Sequence, residues 1–335
     1  MSKIEWCDKT WNPVRGCSRV SEGCRNCYAE RMAARFSTHA KQEGDEPAGV
    51  FAGFAKMTTA GPRWTGRVEL IPSKLDAPLR WRKPRKVFVN SMSDLFHEAL
   101  PEPDVFRVLD VCVQAVMQRG HTMQILTKRP NRMADLVRRY VDEGGLCGAG
   151  AFCRQQHGSG AHHSLPPGIW LGGSCEDQAT ADERIPLLLQ TPAAVRFVSL
   201  EPMLGPVLLK RSVDVTRDGV KEGEIAVDHL SGLHWVIVGG ESGPKARPCD
   251  VAWIRSVVRQ CREASVPVFV KQWGSRPYDS DYRIGVFAEH DRRTPRKPDG
   301  AGGTMAAGNL ILLRDRKGGD PAEWGSEDWP REFPQ

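Results

Sequence analysis

Three cysteines carry most of the chemistry that this sequence could do. In Gly16-Cys-Ser-Arg-Val-Ser-Glu-Gly-Cys-Arg-Asn-Cys-Tyr28 they stand at Cys17, Cys24 and Cys27, a Cys-x6-Cys-x2-Cys spacing. Three thiolates on one loop can each take one iron of a [4Fe–4S] cluster and leave the fourth iron open to another molecule. Clusters that serve only structure normally take four cysteines. The competing reading is a zinc knuckle completed by Cys7 or a histidine. Zinc loops usually come as two close pairs, and only Cys24 and Cys27 make such a pair, so the cluster is the expectation.

A second group, Cys147, Cys153, His157 and His162 with His163 beside it, has the spacing Cys-x5-Cys-x3-His-x4-His. These four residues are a candidate zinc set. Gly-Ala-Gly and Gly-Ser-Gly flank them, which equally suits a loop that holds no metal. The stretch from 143 to 167 reads as an insertion.

The chain has 335 residues, 40% of them hydrophobic, which suffices for a sizeable core. No apolar run is long enough to span a bilayer, so no membrane association is expected. The first residues, Met-Ser-Lys-Ile-Glu-Trp-Cys, lack a basic-then-apolar signal segment, and the expectation is a cytosolic protein. In a reducing compartment, clustered thiols among the 10 cysteines are more often metal ligands than disulfides. The net charge of +6 permits a nucleic-acid or phosphate-bearing partner without requiring one. The basic run Arg80-Trp-Arg-Lys-Pro-Arg-Lys86 could grip a nucleic-acid backbone and stack a base, or be a solvated turn.

These residues need elements to position them. Short apolar, β-branched runs recur at Lys86–Asn90, Met123–Thr127, Ile169–Gly172, Val195–Ser199, Trp235–Gly239 and Val266–Val270. Such runs suit strands buried on both faces of a parallel sheet. Helical patterns alternate with them, at Asp104–Arg119, Asn131–Tyr140, Ala179–Leu189 and Val251–Ala264. Thr10–Arg15 reads as a first strand entering the cysteine loop, and Cys27–Phe36 as a first helix. The expected fold is α/β, a partial or complete parallel (β/α) barrel over residues 1–278, interrupted by the 143–167 insertion. A C-terminal extension over 279–335 would contain one further strand at Asn309–Leu313.

Polar residues follow nearly every strand: Ser91, Ser93, Asp94 and His97; Thr127, Lys128 and Arg129; Ser174, Glu176 and Asp177; Ser199 and Glu201; Gly239, Gly240 and Glu241; Lys271 and Gln272. In a barrel those ends converge on one mouth, where barrel active sites lie. Asp94, Lys128, Glu176, Glu201, Gly239, Gly240, Glu241 and Gln272 are the expected lining of a cofactor site there.

Seven segments together resemble a known group. They are Thr10-Trp-Asn-Pro-Val-Arg-Gly-Cys17, Gly23-Cys-Arg-Asn-Cys-Tyr-Ala-Glu30, Asn90-Ser-Met-Ser-Asp-Leu-Phe-His97, Leu126-Thr-Lys-Arg-Pro130, Ser199-Leu-Glu-Pro-Met203, Gly239-Gly-Glu-Ser242 and Val270-Lys-Gln-Trp-Gly274. The tail Asp315–Trp324 adds to them. The chain is similar to the radical SAM superfamily, and more narrowly to an uncharacterised phage and prophage family of three-Cys-motif proteins. The resemblance implies a barrel of radical SAM type, a [4Fe–4S] cluster on Cys17, Cys24 and Cys27, and S-adenosylmethionine chelating the open iron. It further implies an external electron donor and reductive cleavage of the cofactor to a radical that attacks a substrate. Lys128 or Arg129 could meet the cofactor's carboxylate, Glu176 or Glu201 its ribose, and Gly239 and Gly240 its adenine. The superfamily's usual spacing is Cys-x3-Cys-x2-Cys, so the first gap here is longer. Where an aromatic often precedes the third cysteine, this chain has Asn26, with Tyr28 just after.

Three functions compete at this stage. The first is a radical enzyme acting on a nucleic-acid base or nucleotide. The second is a non-enzymatic iron–sulfur or zinc protein that binds nucleic acid or a partner protein. The third is a barrel enzyme with a structural metal, in which Glu176, Glu201 and Glu241 act as acid and base.

Overall fold

A computed structural model describes residues 4–37, 49–142, 164–217, 220–280 and 330–334. In chain order its elements are β1 (Lys9–Trp11), β2 (Val14–Arg15), α1 (Tyr28–Phe36), β3 (Ala55–Thr58), β4 (Gly61–Trp64), β5 (Glu69–Leu70), β6 (Lys86–Val89), α2 (Glu102–Arg119), β7 (Thr122–Thr127) and α3 (Pro130–Asp142). There follow β8 (Ile169–Cys175), α4 (Gln178–Leu189), β9 (Val195–Leu200), β10 (Lys210–Arg217), β11 (Val220–Asp228), β12 (Trp235–Gly239), β13 (Cys249–Asp250), α5 (Val251–Glu263), β14 (Val268–Gln272) and β15 (Pro277–Tyr278). The expected strand at Asn309–Leu313 and the candidate zinc set at 147–163 lie outside the described residues.

Seven strands form one parallel sheet in the order β1-β6-β7-β8-β9-β12-β14. The order follows the chain without reversal. That is the winding of a partial parallel barrel, whereas a doubly wound sheet reverses at a switch point. The core strands are apolar on both faces, as helix-covered parallel strands must be: Val87, Phe88 and Val89 of β6 and all five residues of β12 are buried. Helix α2 stops at Gly120, whose φ of 65° lets its N–H reach the carbonyls of Ala115 and Val116.

The first expected strand is corrected. Thr10–Arg15 is not continuous: β1 pairs with β6 in the sheet, whereas β2 pairs antiparallel with β5. Pro13 lies between them. It has no N–H to give a ladder, so the chain leaves the sheet there.

The chain divides into two compact units, Met1–Ser174 with Asp182–Val198, and Cys175–Ala181 with Ser199–Gln335. In the first, the rings of Phe88 and Phe197 lie 4.5 and 6.5 Å from that of Trp6. Gly172 leaves room for Phe197, whose Cζ would stand 2.4 Å from a Cβ at that position. The second unit carries the antiparallel β10–β11 hairpin, which the apolar runs did not announce. Its strands are largely charged, and Ile225 is exposed. The last described residues pack against this unit's core. Glu332 N–H donates to the Val268 carbonyl at 3.1 Å, and Phe333 packs on Trp235 and Phe269.

Candidate metal centre

The cysteine loop sits at the carboxyl end of β1, built by three local devices. Gly16 takes a φ of 88°, and a Cβ there would lie 1.9 Å from the Arg67 carbonyl oxygen. Only glycine fits so close a crossing. Gly16 also bridges to Ser93 in parallel, beside Asn12, whose side-chain oxygen accepts from Met92 N–H at 2.9 Å and from the Ser91 hydroxyl at 3.2 Å. The segments Trp-Asn-Pro and Asn-Ser-Met-Ser thus interlock and fix where Cys17 emerges. At the other end, Cys27 is the residue before α1, and the Tyr28 hydroxyl donates to the Ser91 carbonyl at 2.6 Å.

Two buried ties hold the loop between its ends. Glu30 is 1% exposed and binds the Arg19 guanidinium while accepting from Trp64 N–H at 2.9 Å. Arg129 makes the second tie. It is buried and donates from Nη1 to Asp94 at 3.1 Å, from Nε to both Glu98 oxygens at 2.9 and 2.8 Å, and from Nη2 to the Ser18 hydroxyl at 2.9 Å. The same Ser18 hydroxyl meets His97 Nε2 at 2.8 Å. Ala99 N–H donates to His97 Nδ1 at 3.0 Å, so the ring proton sits on Nε2 and is donated to Ser18.

Asp94, expected as cofactor lining, is a hydrogen-bonding hub under the loop. It is buried and accepts from the Thr127 hydroxyl at 2.7 Å, Phe96 N–H at 3.0 Å and Lys128 N–H at 3.2 Å, besides Arg129. Lys128 places its ammonium 2.7 Å from the Ser174 hydroxyl, at the carboxyl ends of β7 and β8.

The electrostatics follow from this packing. Burial, and then the Asp94 charge, push the Cys17 thiol up to about 12, while Arg129 pulls the other way. Burial also raises Cys27, opposed by the backbone N–H groups of Glu30 and Ala29 in the first turn of α1. Both thiols also feel Cys24, so the three sulfurs share one neighbourhood. Burial works against the Arg129 charge, but Asp94 and Glu98 outweigh it and hold that group above its ordinary value. Burial, and then Arg129, lower His97.

The buried Cys17 and Cys27 thiols therefore favour protonation unless a cation takes the proton's place. Among the described residues no three His, Cys, Asp or Glu side chains stand close enough to share a single ion. A cubane differs from a single ion in that each cysteine binds its own iron, so its ligands stand further apart. Three thiols on one loop are a donor set that such a cluster could take.

The remaining expected residues lie in the second unit. Glu201 pairs with Lys271 Nζ at 2.5 Å, and Gln272 Nε2 donates to the Gly240 carbonyl at 2.9 Å. Glu241 is forked by Arg247 at 2.8 and 3.0 Å. Glu176 is buried, and its carbonyl accepts from Leu204 N–H at 2.7 Å. Gly239 and Gly240 need no ligand to explain them, because Cβ atoms there would lie 3.1 Å from the Gln272 carbonyl and 2.0 Å from that of Trp273.

The basic run before β6 lies at the amino end of its strand, whereas the cysteine loop leaves the carboxyl end of β1. Trp81 already has Lys9 Nζ 4.8 Å over its ring and His121 5.8 Å from it, which favours the solvated-turn reading over base stacking. Arg19, Glu30 and Ser18 were not expected as part of the centre, and His97 was expected only as one of the polar residues that follow a strand. The one sequence signal was their nearness to the cysteines and to Asp94.

No described helix is long and apolar enough to cross a membrane. The model of a family described as a protein of unknown function, DUF5131, matches residues 1–307. No curated protein and no solved structure matches the chain.

Proposed function

We propose that this chain, which belongs to the DUF5131 family, is a radical SAM-type iron–sulfur enzyme whose cluster is held by Cys17, Cys24 and Cys27. The observation that supports this most directly is the shared neighbourhood of three thiols on one loop, tied down by two buried networks. So much fixed polar structure around a surface loop suits a loop that must present ligands at set positions.

A [4Fe–4S] cluster with one open iron supplies the electron that S-adenosylmethionine needs for reductive cleavage. The chain's own residues orient and exclude. The three cysteines hold the irons, and the first turn of α1 presents N–H groups to Cys27. Lys128, held on Ser174, offers a cation for the cofactor's carboxylate on the same side of the first unit. Arg129 is filled by protein acceptors and is not that cation. The net charge of +6 is compatible with a nucleotide or nucleic-acid substrate and does not select one. The electron comes from an external donor.

The test is anaerobic reconstitution with iron and sulfide, then calorimetry with S-adenosylmethionine. Broad brown absorbance, binding of the cofactor and a spectral change on its addition are expected. A colourless zinc-loaded protein would exclude the cluster. An intact cluster with no binding at millimolar cofactor would leave a cluster protein that is not of this type.

A further inference from the structure

We infer that Arg129 is the positioning residue of the centre, and that it sets the reduction potential of the cluster through the charge it places beside Cys17. The inference rests on the cluster reading above and concerns this chain's own residues.

Three observations carry it. The first is reach. Arg129 lies 111 residues from Ser18 in sequence, yet Nη2 donates both to the Ser18 hydroxyl at 2.9 Å and to its carbonyl at 3.3 Å. Gripping the backbone carbonyl and the side chain of one residue fixes the residue that follows Cys17, which a single contact would not do.

The second is the planarity of the group. Its Nε, Nη1 and Nη2 point to Glu98, Asp94 and Ser18, three partners in three directions. A guanidinium satisfies such a set in one rigid plane, and an ammonium cannot.

The third is the balance of charge. The Cys17 thiol and Arg129 Nη2 both reach the Ser18 carbonyl, at 3.4 and 3.3 Å, so the cation stands beside the sulfur, and Asp94, bound to Arg129 Nη1, is the opposing charge. Asp94 is also shared among Thr127, Phe96 and Lys128, so its charge is spread over several donors. Glu98 is the exposed partner, with 63% of its side chain accessible, so water weakens its charge without cancelling it. Arg129 is therefore the cation that offsets the Asp94 charge at Cys17. Each electron added makes a cluster more negative, and a nearby cation stabilises the reduced form.

The experiment compares reconstituted wild type, Arg129→Gln, Arg129→Lys, Ser18→Ala and Glu98→Gln, with iron per chain and the midpoint potential from a redox titration read by electron paramagnetic resonance. Circular dichroism checks that each folds. Arg129→Gln is expected to shift the midpoint to more negative potential and to lower iron retention several-fold. Arg129→Lys should lose iron but shift the midpoint less, because it keeps a charge. Ser18→Ala should lower iron retention with little shift. Glu98→Gln removes a surface carboxylate and should move the midpoint the opposite way from Arg129→Gln. This variant keeps the test decisive if Arg129→Gln fails to fold. Equal midpoints in wild type, Arg129→Gln and Glu98→Gln would overturn the inference while leaving the cluster reading intact. A wild-type chain that takes up no iron would overturn both.

Discussion

Arg129 Nη2 lies 2.9 Å from the Ser18 hydroxyl, so the residue just before α3 holds the residue next to Cys17. The end of one parallel strand thereby controls a loop that leaves another. Several measurable consequences rest on this and related contacts.

Iron content should depend on the loop cysteines alone. Cys24→Ala is expected to lose nearly all the iron that reconstituted wild type holds, because two thiols cannot retain a cubane. Cys112→Ala, deep in α2, should keep it. Full iron in Cys24→Ala would falsify the ligand assignment.

Glu30 should matter to stability more than a surface carboxylate does. Glu30→Ala leaves Arg19 and the Trp64 N–H without their acceptor. A loss of about 2 kcal/mol in chemical denaturation is expected, since hydrogen bonds to charged groups are worth more than neutral ones. Glu30→Gln keeps one acceptor oxygen and should lose less. Wild-type stability in Glu30→Ala would show that the tie is slack.

Two glycines with similar backbone angles should behave differently. Gly16→Ala forces a Cβ onto the Arg67 carbonyl and strains a φ of 88°, whereas Gly66 has a φ of 87° and open space. Gly16→Ala is expected to destabilise by about 3 kcal/mol and Gly66→Ala by about 1 kcal/mol, the strain alone. Thermal melts that rank them the other way would contradict the crossing at Gly16.

The iron-free protein should lose stability in mild acid. Burial and Arg129 lower the folded pKa of His97 below its ordinary 6.5, so the unfolded chain takes the proton more readily. The contribution of neutral His97 is complete above pH 6.5 and is lost as pH falls through that value toward the folded pKa. Denaturation between pH 5 and 8 should show a slope in wild type that is smaller in His97→Gln. Equal slopes would mean that another group titrates there.

Much of the frame was legible in the sequence because its signals are local. Apolar runs such as Trp235–Gly239 are buried whatever lies beside them, and helices between them dictate a parallel sheet. The spacing of Cys17, Cys24 and Cys27 needs no fold to be read. The break at Pro13 was also local, in a residue that cannot join a ladder, though it lay hidden inside a strand-like run. The tertiary structure decided the rest, because the deciding partners are far apart in the chain. Nothing near Arg129 says that its acceptors are Ser18, Asp94 and Glu98, or that Asp94 is a hub under the loop. Gly240 looked like room for a ligand, and only the pairing of β12 with β14 reveals that the Trp273 carbonyl occupies that space. A strand announces itself by its own residues, whereas a hydrogen bond depends on both partners and on the fold that brings them together.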